Sequence, residues 1–182
     1  MPRVILGITG SIAAYKAADI ANTLVKGGSS VHVVMSKAAT ALIPPLTLQA
    51  LTKNRVFSDV MQEDDPACIV HVDLPQNECD VFLIAPASAN IIAKIAHGLA
   101  DDMLSSMVLA TPPGIPKLIA PAMNTFMYEN PATQENLEKL KSRGWIVIEP
   151  RTARLACGYE GKGALASLDA IMAALSAMGV SG

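Results

Sequence analysis

The sequence predicts an α/β protein in which a parallel β-sheet is covered by helices on both faces. Short apolar segments alternate with helical segments along the 182 residues, and hydrophobic residues make up 51% of them. The segment Val81–Ala85 is apolar at every position. A strand without polar alternation is buried on both faces, as in parallel sheets between two helical layers. With only 16% charged residues, the chain can bury a large core.

The first strand–helix–strand unit is the clearest. Val4–Thr9 is a short apolar strand, Gly10-Ser11 forms a turn, and a helix is predicted over Ile12–Lys26, where apolar residues recur at helical spacing. Gly27-Gly28 ends this helix, and Ser30–Met35 is the second strand. Two strands joined by a crossover helix form a right-handed βαβ unit, which implies that the strands are parallel.

The same patterns predict the remaining elements. Pro44-Pro45 separates two short helices, and Pro131 suits the first turn of a later one. Arg151–Ser167 has little apolar periodicity and several glycines, so a long loop or flap is expected there. Further helices are expected at Lys37–Ile43, Leu46–Lys53, Ala89–His97, Met103–Ala110, Pro131–Arg143 and Leu168–Met178, and further strands at Val81–Ala85, Lys117–Ala120 and Trp145–Ile148. The prediction is one domain over residues 1–182, a three-layer Rossmann/flavodoxin-like sheet of about five or six strands.

Composition narrows the expected partners. A net charge of −2 gives no electrostatic reason to expect nucleic acid or a membrane surface as a partner. No apolar run approaches the roughly 20 residues of a membrane helix, and polar residues interrupt the apolar N-terminal run, which disfavours an export signal. Cys68, Cys79 and Cys157 are an odd set without CxxC spacing. Neither a disulfide framework nor a metal site is therefore expected, and a reducing cytoplasm is the expected compartment.

The first polar segment of interest follows the first predicted strand, at the carboxyl edge where such folds bind ligands. Gly10 would let the backbone approach a ligand, and the helix start after it attracts phosphate, with Ser11 adding a hydroxyl. The segment is not GxGxxG and lacks the Lys-Ser/Thr end of a P-loop. A nucleoside triphosphate is therefore disfavoured, and both a monophosphate such as FMN and a plain tight turn remain open.

Two further polar segments follow later strands. In Pro86–Asn90, small residues leave room for a flat ring, and Ser88 and Asn90 offer hydrogen bonds at a helix start. An ordinary N-cap would explain Ser88 alone. In Pro121–Asn124, the side chain of Asn124 could donate to a carboxylate or a ring carbonyl, or could simply cap a loop.

Candidate proton-transfer residues are few. His71 lies among apolar residues, where a histidine is usually structural, although histidine is also suited to move protons near neutral pH. The positions of His32 and His97 favour structural roles. Cys157 lies in the glycine-rich segment, where it could be an inert thiol, an acid or a redox partner.

In combination, these segments resemble the flavin-containing cysteine decarboxylases. The resemblance runs from about Met1 to Ala174 and consists, in order, of GITGSIAAYK, His-Val-Asp-Leu, PASANIIAKIAHGLADD, PAMNTFM and LACGYEGKGAL. PAMNxxM together with ACGxxGxG is highly specific. Tyr128 and Leu165 depart from the family pattern, which has Trp and Met there, but neither departure removes a proposed chemical group.

The resemblance implies FMN as cofactor and a role for each matching position. His71 matches the catalytic base, Asn124 the residue that holds the substrate carboxylate, and Cys157 the flap acid. Flavin contacts are implied for Gly10, Ser11, Ile12, Ser36, Ala38, Ser88, Ala89, Asn90, Ile91 and Ala122. Substrate contacts are implied for Asn124, Met127, Arg154 and Ala156.

The resemblance also implies a reaction, the decarboxylation of phosphopantothenoylcysteine to 4'-phosphopantetheine in coenzyme A biosynthesis, through a thioaldehyde and an enethiolate. Cys157 favours this substrate because formation of the saturated product needs an acid. The alternatives are a peptidyl-cysteine decarboxylase of the lantibiotic type, which forms a C-terminal enethiol, a non-catalytic regulatory flavoprotein, and an α/β binding protein without flavin. A homotrimer, or an assembly of trimers with sites between subunits, is implied as well.

Overall fold

A parallel sheet forms the centre of the protein. The computed structural model describes residues 1–62, 68–154, 158 and 160–180. The strands of the sheet are β1 (Arg3–Ile8), β2 (Ser30–Met35), β3 (Val56–Phe57), β4 (Val81–Ala87), β5 (Lys117–Pro121) and β6 (Ile146–Val147). Within the described residues they pair in the order β3-β2-β1-β4-β5-β6, and every pairing is parallel. The predicted α/β fold with about five or six parallel strands is confirmed.

Helices connect the strands and cover the sheet. A 3-10 turn over Ile12–Lys16 leads into the first α-helix, so the predicted helix Ile12–Lys26 has two parts. The helices are α1 (Ala17–Lys26), α2 (Lys37–Thr40), α3 (Pro45–Thr52), α4 (Val70–Asn77), α5 (Ala89–His97), α6 (Met103–Ala110), α7 (Thr125–Glu129), α8 (Pro131–Ser142) and α9 (Leu168–Ser176). In the part of the chain that is described, no helix has the length and apolar character needed to cross a membrane.

The core consists of two layers, because successive side chains of a strand point to opposite faces. In β1, Leu6 packs with α1 and α9, while Ile5 packs on the other face with α5, α6 and α8. All seven residues of β4 are buried, as its unbroken apolar sequence predicts. Each Leu or Ile buried in this way contributes about 1.5–3 kcal/mol.

The largest correction concerns the predicted loop Arg151–Ser167. The structure instead has two antiparallel strands, β7 (Arg151–Arg154) and β8 (Glu160–Ala164), which form a hairpin apart from the main sheet. The glycines of β8 do not mark a loop, because they let its backbone pack closely against the chain after β5. A Cβ atom on Gly161 would collide with Thr125 Oγ1, and one on Gly163 would collide with the Met123 carbonyl oxygen.

Smaller corrections concern short elements and boundaries. The sequence patterns missed β3, α4 and α7, which are either too short to show periodicity or, in α4, interrupted by Pro75. β1 ends at Ile8 rather than Thr9, and β4 continues to Ala87 rather than ending at Ala85. Pairing with neighbouring strands decides these ends, and a single segment does not contain that information.

Candidate active site

Four turns lie at one edge of the sheet, where β1, β2, β4 and β5 end. They contain ten positions expected to contact a flavin, Gly10, Ser11 and Ile12 after β1, Ser36 and Ala38 after β2, Ser88, Ala89, Asn90 and Ile91 after β4, and Ala122 after β5. Because all four strands are parallel, their carboxyl ends meet at the same edge. The fold therefore brings together segments that are far apart in the sequence.

The first two turns touch each other. The Ser36 backbone N–H donates to the Ile8 carbonyl oxygen at 2.9 Å. A Cβ atom on Gly10 would lie only 2.5 Å from the Cβ of Ala38, so no larger residue fits at position 10 without displacing the second turn. Gly10 itself is exposed. The two turns thus form a shallow cradle in which backbone is accessible to a ligand.

Thr9 joins the first turn to the third and is a residue that the sequence patterns missed. Its buried hydroxyl donates to the Pro86 carbonyl oxygen at 2.7 Å and accepts from the Ser88 N–H at 2.8 Å. The sequence contains one signal for it, a polar residue at the end of an otherwise apolar strand. The Ala122 N–H then donates to the Ala87 carbonyl oxygen at 3.0 Å, which connects the fourth turn.

Three serines begin the helical segments that follow these turns. Ser11 accepts from the Ala13 N–H at 3.3 Å, Ser36 from Ala39 at 3.3 Å, and Ser88 from Ile91 at 3.4 Å. The N-cap explanation of Ser88 is therefore correct as far as its oxygen is concerned. Each hydroxyl still has a proton to donate, and the first N–H groups of a helix have no partner within the helix and attract anions.

The segment after β5 places its polar and apolar groups next to each other. Asn124 precedes α7, and its side-chain oxygen accepts from the Phe126 N–H at 2.9 Å, which fixes the orientation of the amide. Phe126 and Met127 are large apolar side chains that are 75% and 49% exposed. A half-buried amide beside exposed apolar surface is an arrangement suited to holding a polar group of an otherwise extended ligand.

The remaining candidates lie elsewhere. His71 is half-buried in the first turn of α4, a helix that packs against α6. It therefore lies on an element separate from the four turns. Cys157, Ala156 and the side chain of Arg154 lie outside the described residues.

The surroundings of one cysteine, Cys79, and one histidine, His32, show whether these residues are reactive or structural. Cys79 is 3% exposed, and burial raises the pKa of its thiol to about 11, so it is an unreactive core residue at neutral pH. Burial also lowers the pKa of His32, which favours its neutral form. His32 therefore has the structural role expected of it, and Cys79 is a buried residue of the core.

Together the fold and the four turns define an α/β protein with a ligand site at the carboxyl edge of its sheet. Comparison with known proteins gives the family, because residues 1–178 match the Flavoprotein family. The chain is 54% identical over 170 residues to a probable phosphopantothenoylcysteine decarboxylase of Streptococcus mutans, covering 93% of this chain and 94% of that one. The chain belongs to the Flavoprotein family.

Other similar proteins include a longer bifunctional protein and two proteins of known structure. The chain is 44% identical over 162 residues, 89% of its length, to the coenzyme A biosynthesis bifunctional protein CoaBC of Bacillus subtilis, but spans only 39% of that protein. A mutant PPC decarboxylase in complex with pantothenoylaminoethenethiol matches with a TM-score of 0.86 and 32% identity over 99% of both chains. The FMN-dependent cysteine decarboxylase SpaF matches with a TM-score of 0.83 and 32% identity over 98% of both chains.

Proposed function

We propose that this protein is an FMN-dependent enzyme that decarboxylates phosphopantothenoylcysteine to 4'-phosphopantetheine, a cytoplasmic step of coenzyme A biosynthesis. One structural observation supports it above all. The cradle of Gly10 and Ala38 and the segment that contains Asn124 lie at the same edge of one sheet, so a phosphate-bearing cofactor and a substrate carboxylate can be bound side by side. The likeness to a probable phosphopantothenoylcysteine decarboxylase over almost the whole chain supports the choice of substrate.

The residues at the sheet edge fit FMN. The phosphate would be held at the start of the 3-10 turn, by Ser11 and the backbone beside Gly10, where no side chain blocks the approach. Ala38, Ala89 and Ala122 are small, which leaves space for a planar ring along the four turns. When bound, FMN would supply the redox chemistry of the reaction, as acceptor and later as donor of a hydride at the substrate Cβ.

Asn124 would orient the substrate. The N–H₂ group is the donor of the Asn124 side chain and would hold the substrate carboxylate, while the side-chain oxygen accepts from the Phe126 N–H. With the carboxylate held by Asn124, the carbon–carbon bond that breaks can be aligned with the C=S bond of the thioaldehyde. The C=S group would accept the electrons of that bond, and an enethiolate would result. Met127, exposed on α7, would contact the substrate beside it.

His71 and Cys157 would move the protons. His71 would accept the thiol proton as the substrate is oxidised, a role suited to an imidazole near neutral pH. Cys157 would donate a proton to carbon after CO₂ has left, and this proton together with the hydride returned from reduced FMN would give the saturated product rather than an enethiol. Arg154 and Ala156, neighbours of Cys157 in the sequence, would contact the substrate from the same segment.

A homotrimer, or a larger assembly of trimers, would complete the site. Several large apolar side chains next to proposed site residues are exposed in the single chain, notably Ile12 at 66% and Phe126 at 75%. Exposed apolar surface of this kind marks contact sites. His71 lies on a different element from the four turns, so a second subunit could place its own His71 at this site. Sedimentation or native mass measurements that give only a monomer would contradict the trimer.

A two-substrate assay tests the function. FMN-loaded protein is incubated with phosphopantothenoylcysteine and, separately, with a peptide that ends in cysteine, and both CO₂ and product mass are followed. We expect CO₂ and 4'-phosphopantetheine from the first substrate. Turnover of the peptide alone would identify a peptidyl-cysteine decarboxylase instead, and a protein that binds no flavin would contradict the whole proposal.

A variant of Cys157 tests the last step. In a single turnover, Cys157→Ser should still release CO₂ but form a product that is two hydrogens lighter and leave its FMN reduced, because the acid for the final protonation is missing. Cys79→Ser is the matched control, since Cys79 is a buried cysteine of the core and not part of the site. Normal saturated product from Cys157→Ser would remove Cys157 from the mechanism.

A further inference from the structure

We propose that Tyr128, Glu149 and Lys162 form an anchor triad that fixes the β7–β8 hairpin against α7, which makes Tyr128 and Lys162 positioning residues for the segment between the two strands. This inference rests on the proposed function, because that segment contains the proposed acid Cys157. The triad joins three parts of the chain, namely α7, the connection between β6 and β7, and β8.

The contacts of the triad converge on a single carboxylate oxygen. The Tyr128 hydroxyl donates to Glu149 Oε2 at 2.9 Å, and Lys162 Nζ donates to the same oxygen at 2.8 Å. The Lys162 ammonium group also lies 5.3 Å from the centroid of the Tyr128 ring, within the range of a cation–π contact. Each member therefore contacts the other two, which fixes their relative positions better than a single ion pair would.

Charge and burial support this arrangement. The Lys162 hydrogen bond lowers the pKa of Glu149, so the carboxylate is ionised at neutral pH. Burial, together with the Glu149 carboxylate, raises the pKa of Tyr128, which keeps its hydroxyl proton available for donation. Tyr128 is only 5% exposed, whereas the side chains of Glu149 and Lys162 are 51% and 44% exposed. Tyr128 is the fixed member, and the hairpin attaches to it through Lys162.

The hairpin also packs against the chain that precedes α7. The Met123 N–H donates to the Gly163 carbonyl oxygen at 2.9 Å, and Gly161 packs against Thr125. Thr125 Oγ1 is buried there and has no hydrogen-bond partner within the described residues. The packing of β8 against the chain before α7 involves no charged group. Within the described residues, the ion pair of Lys162 with Glu149 is the one found between β8 and the rest of the chain.

The triad is coupled to the proposed substrate site by the backbone. The Tyr128 N–H donates to the Asn124 carbonyl oxygen at 2.9 Å, so the fixed member of the triad lies one helical turn from the residue proposed to hold the carboxylate. Met127 is its neighbour in α7. The anchor triad thus fixes the hairpin relative to the same short helix that orients the substrate.

The test uses two variants that remove one contact each. Tyr128→Phe deletes the hydroxyl and keeps the buried ring, and Lys162→Met deletes the charge and keeps most of the chain length. Lys141→Met is the matched control, because Lys141 Nζ lies 3.8 Å from Glu149 Oε1 and pairs with Glu138, and Lys141 belongs to α8 rather than to the hairpin. All three are compared with the unmodified, FMN-loaded protein.

The decisive measurement is the ratio of the two products that a single turnover of the FMN-loaded protein gives from phosphopantothenoylcysteine, in which the lighter product leaves its FMN reduced. In Tyr128→Phe and Lys162→Met we expect the share of product two hydrogens lighter to rise about five- to tenfold, because the net contribution of one partly exposed hydrogen bond corresponds to a shift of about that size in the equilibrium between the attached and the detached hairpin. Release of CO₂ should change less than about twofold, since His71 and Asn124 are untouched. Lys141→Met should leave the ratio unchanged.

A second measurement is independent of turnover. Hydrogen exchange of the backbone amides in residues 151–154 and 160–164 should be faster in both triad variants than in Lys141→Met. An unchanged product ratio in both triad variants, or equal exchange in all proteins, would overturn the anchor triad. If the unmodified protein releases no CO₂ from phosphopantothenoylcysteine, the proposed function fails and the exchange measurement alone decides about the triad.

Discussion

Replacing Thr9 by valine tests how the turns of the candidate site are held together. The Thr9 side chain is 1% exposed, and its hydroxyl is hydrogen-bonded to the Pro86 carbonyl oxygen and to the Ser88 N–H. Valine has nearly the same shape, so the variant removes both hydrogen bonds without creating a large cavity. The Pro86 carbonyl would be left buried without its partner, and the half-buried Ser88 N–H would lose its acceptor.

The expected magnitude follows from these two groups. A buried polar group that loses its partner costs about 1–3 kcal/mol, and a partly buried one costs less. We therefore expect the free energy of unfolding to fall by about 2–3 kcal/mol. For a domain of this length, each kcal/mol lowers Tm by roughly 2–4 °C, so Tm should fall by about 4–12 °C. FMN retention should fall as well, because the turn that contains Ser88 is no longer fixed.

Urea and thermal unfolding of the flavin-free protein measure this effect without a contribution from cofactor binding. Thr9→Ser is the control, because serine keeps the hydroxyl and loses only one methyl group, worth about 1 kcal/mol. The reasoning would be refuted if Thr9→Val were as stable as Thr9→Ser, since the two hydrogen bonds would then contribute nothing measurable.

Three further predictions concern other contacts. Gly10→Ala should destabilise the protein by about 1–3 kcal/mol in urea unfolding, because its Cβ would lie 2.5 Å from that of Ala38, and adding Ala38→Gly should restore part of the loss. Asp102→Asn should be less stable at neutral pH by about 1 kcal/mol, because Asp102 accepts from Lys94 at 2.7 Å. Burial tends to raise the pKa of Asp102, but hydrogen bonds, that of Lys94 first, outweigh it and lower the pKa, so this stabilisation is present above about pH 4 and is lost as the pH falls further. Cys79, whose pKa burial raises to about 11, should react with iodoacetamide only after unfolding.

Each of these three has a clear contrary outcome. A Gly10→Ala variant with unchanged stability, or a double variant no more stable than the single one, would show that the two turns can separate at little cost. A stability difference for Asp102→Asn that persists unchanged in acid would mean that the charge is not responsible. Rapid alkylation of Cys79 in the native protein would contradict its burial in the core.

The sequence predicted the order of most elements well, because these depend on local patterns. Apolar patterns located β1, β2, β4, β5 and, except for α4, the helices between them, and turn residues marked the strand ends where the proposed flavin positions lie. The family motifs then supplied FMN and a role for each polar position. The helix boundaries at Pro44-Pro45, Pro131 and Gly98 follow from the backbone restrictions of proline and glycine, which act within a few residues.

The hairpin of β7 and β8 shows what local patterns could not predict. Its glycines predict a loop when only the sequence is considered, and they become strand residues because Gly161 and Gly163 pack against the backbone before α7. The partners of Thr9 and of Glu149 are likewise distant in sequence, at Pro86 and Lys162.

The sequence by itself thus determined the main strands of the sheet, most of the helices and the chemical groups that are available, since propensity and periodicity act over a few neighbouring residues. Only the tertiary structure decided which turns touch, which glycines are needed for close packing, and which hydroxyl links β1 to β4. The physical reason is that hydrogen bonds and close contacts between distant segments depend on distances that exist only once the sheet has assembled.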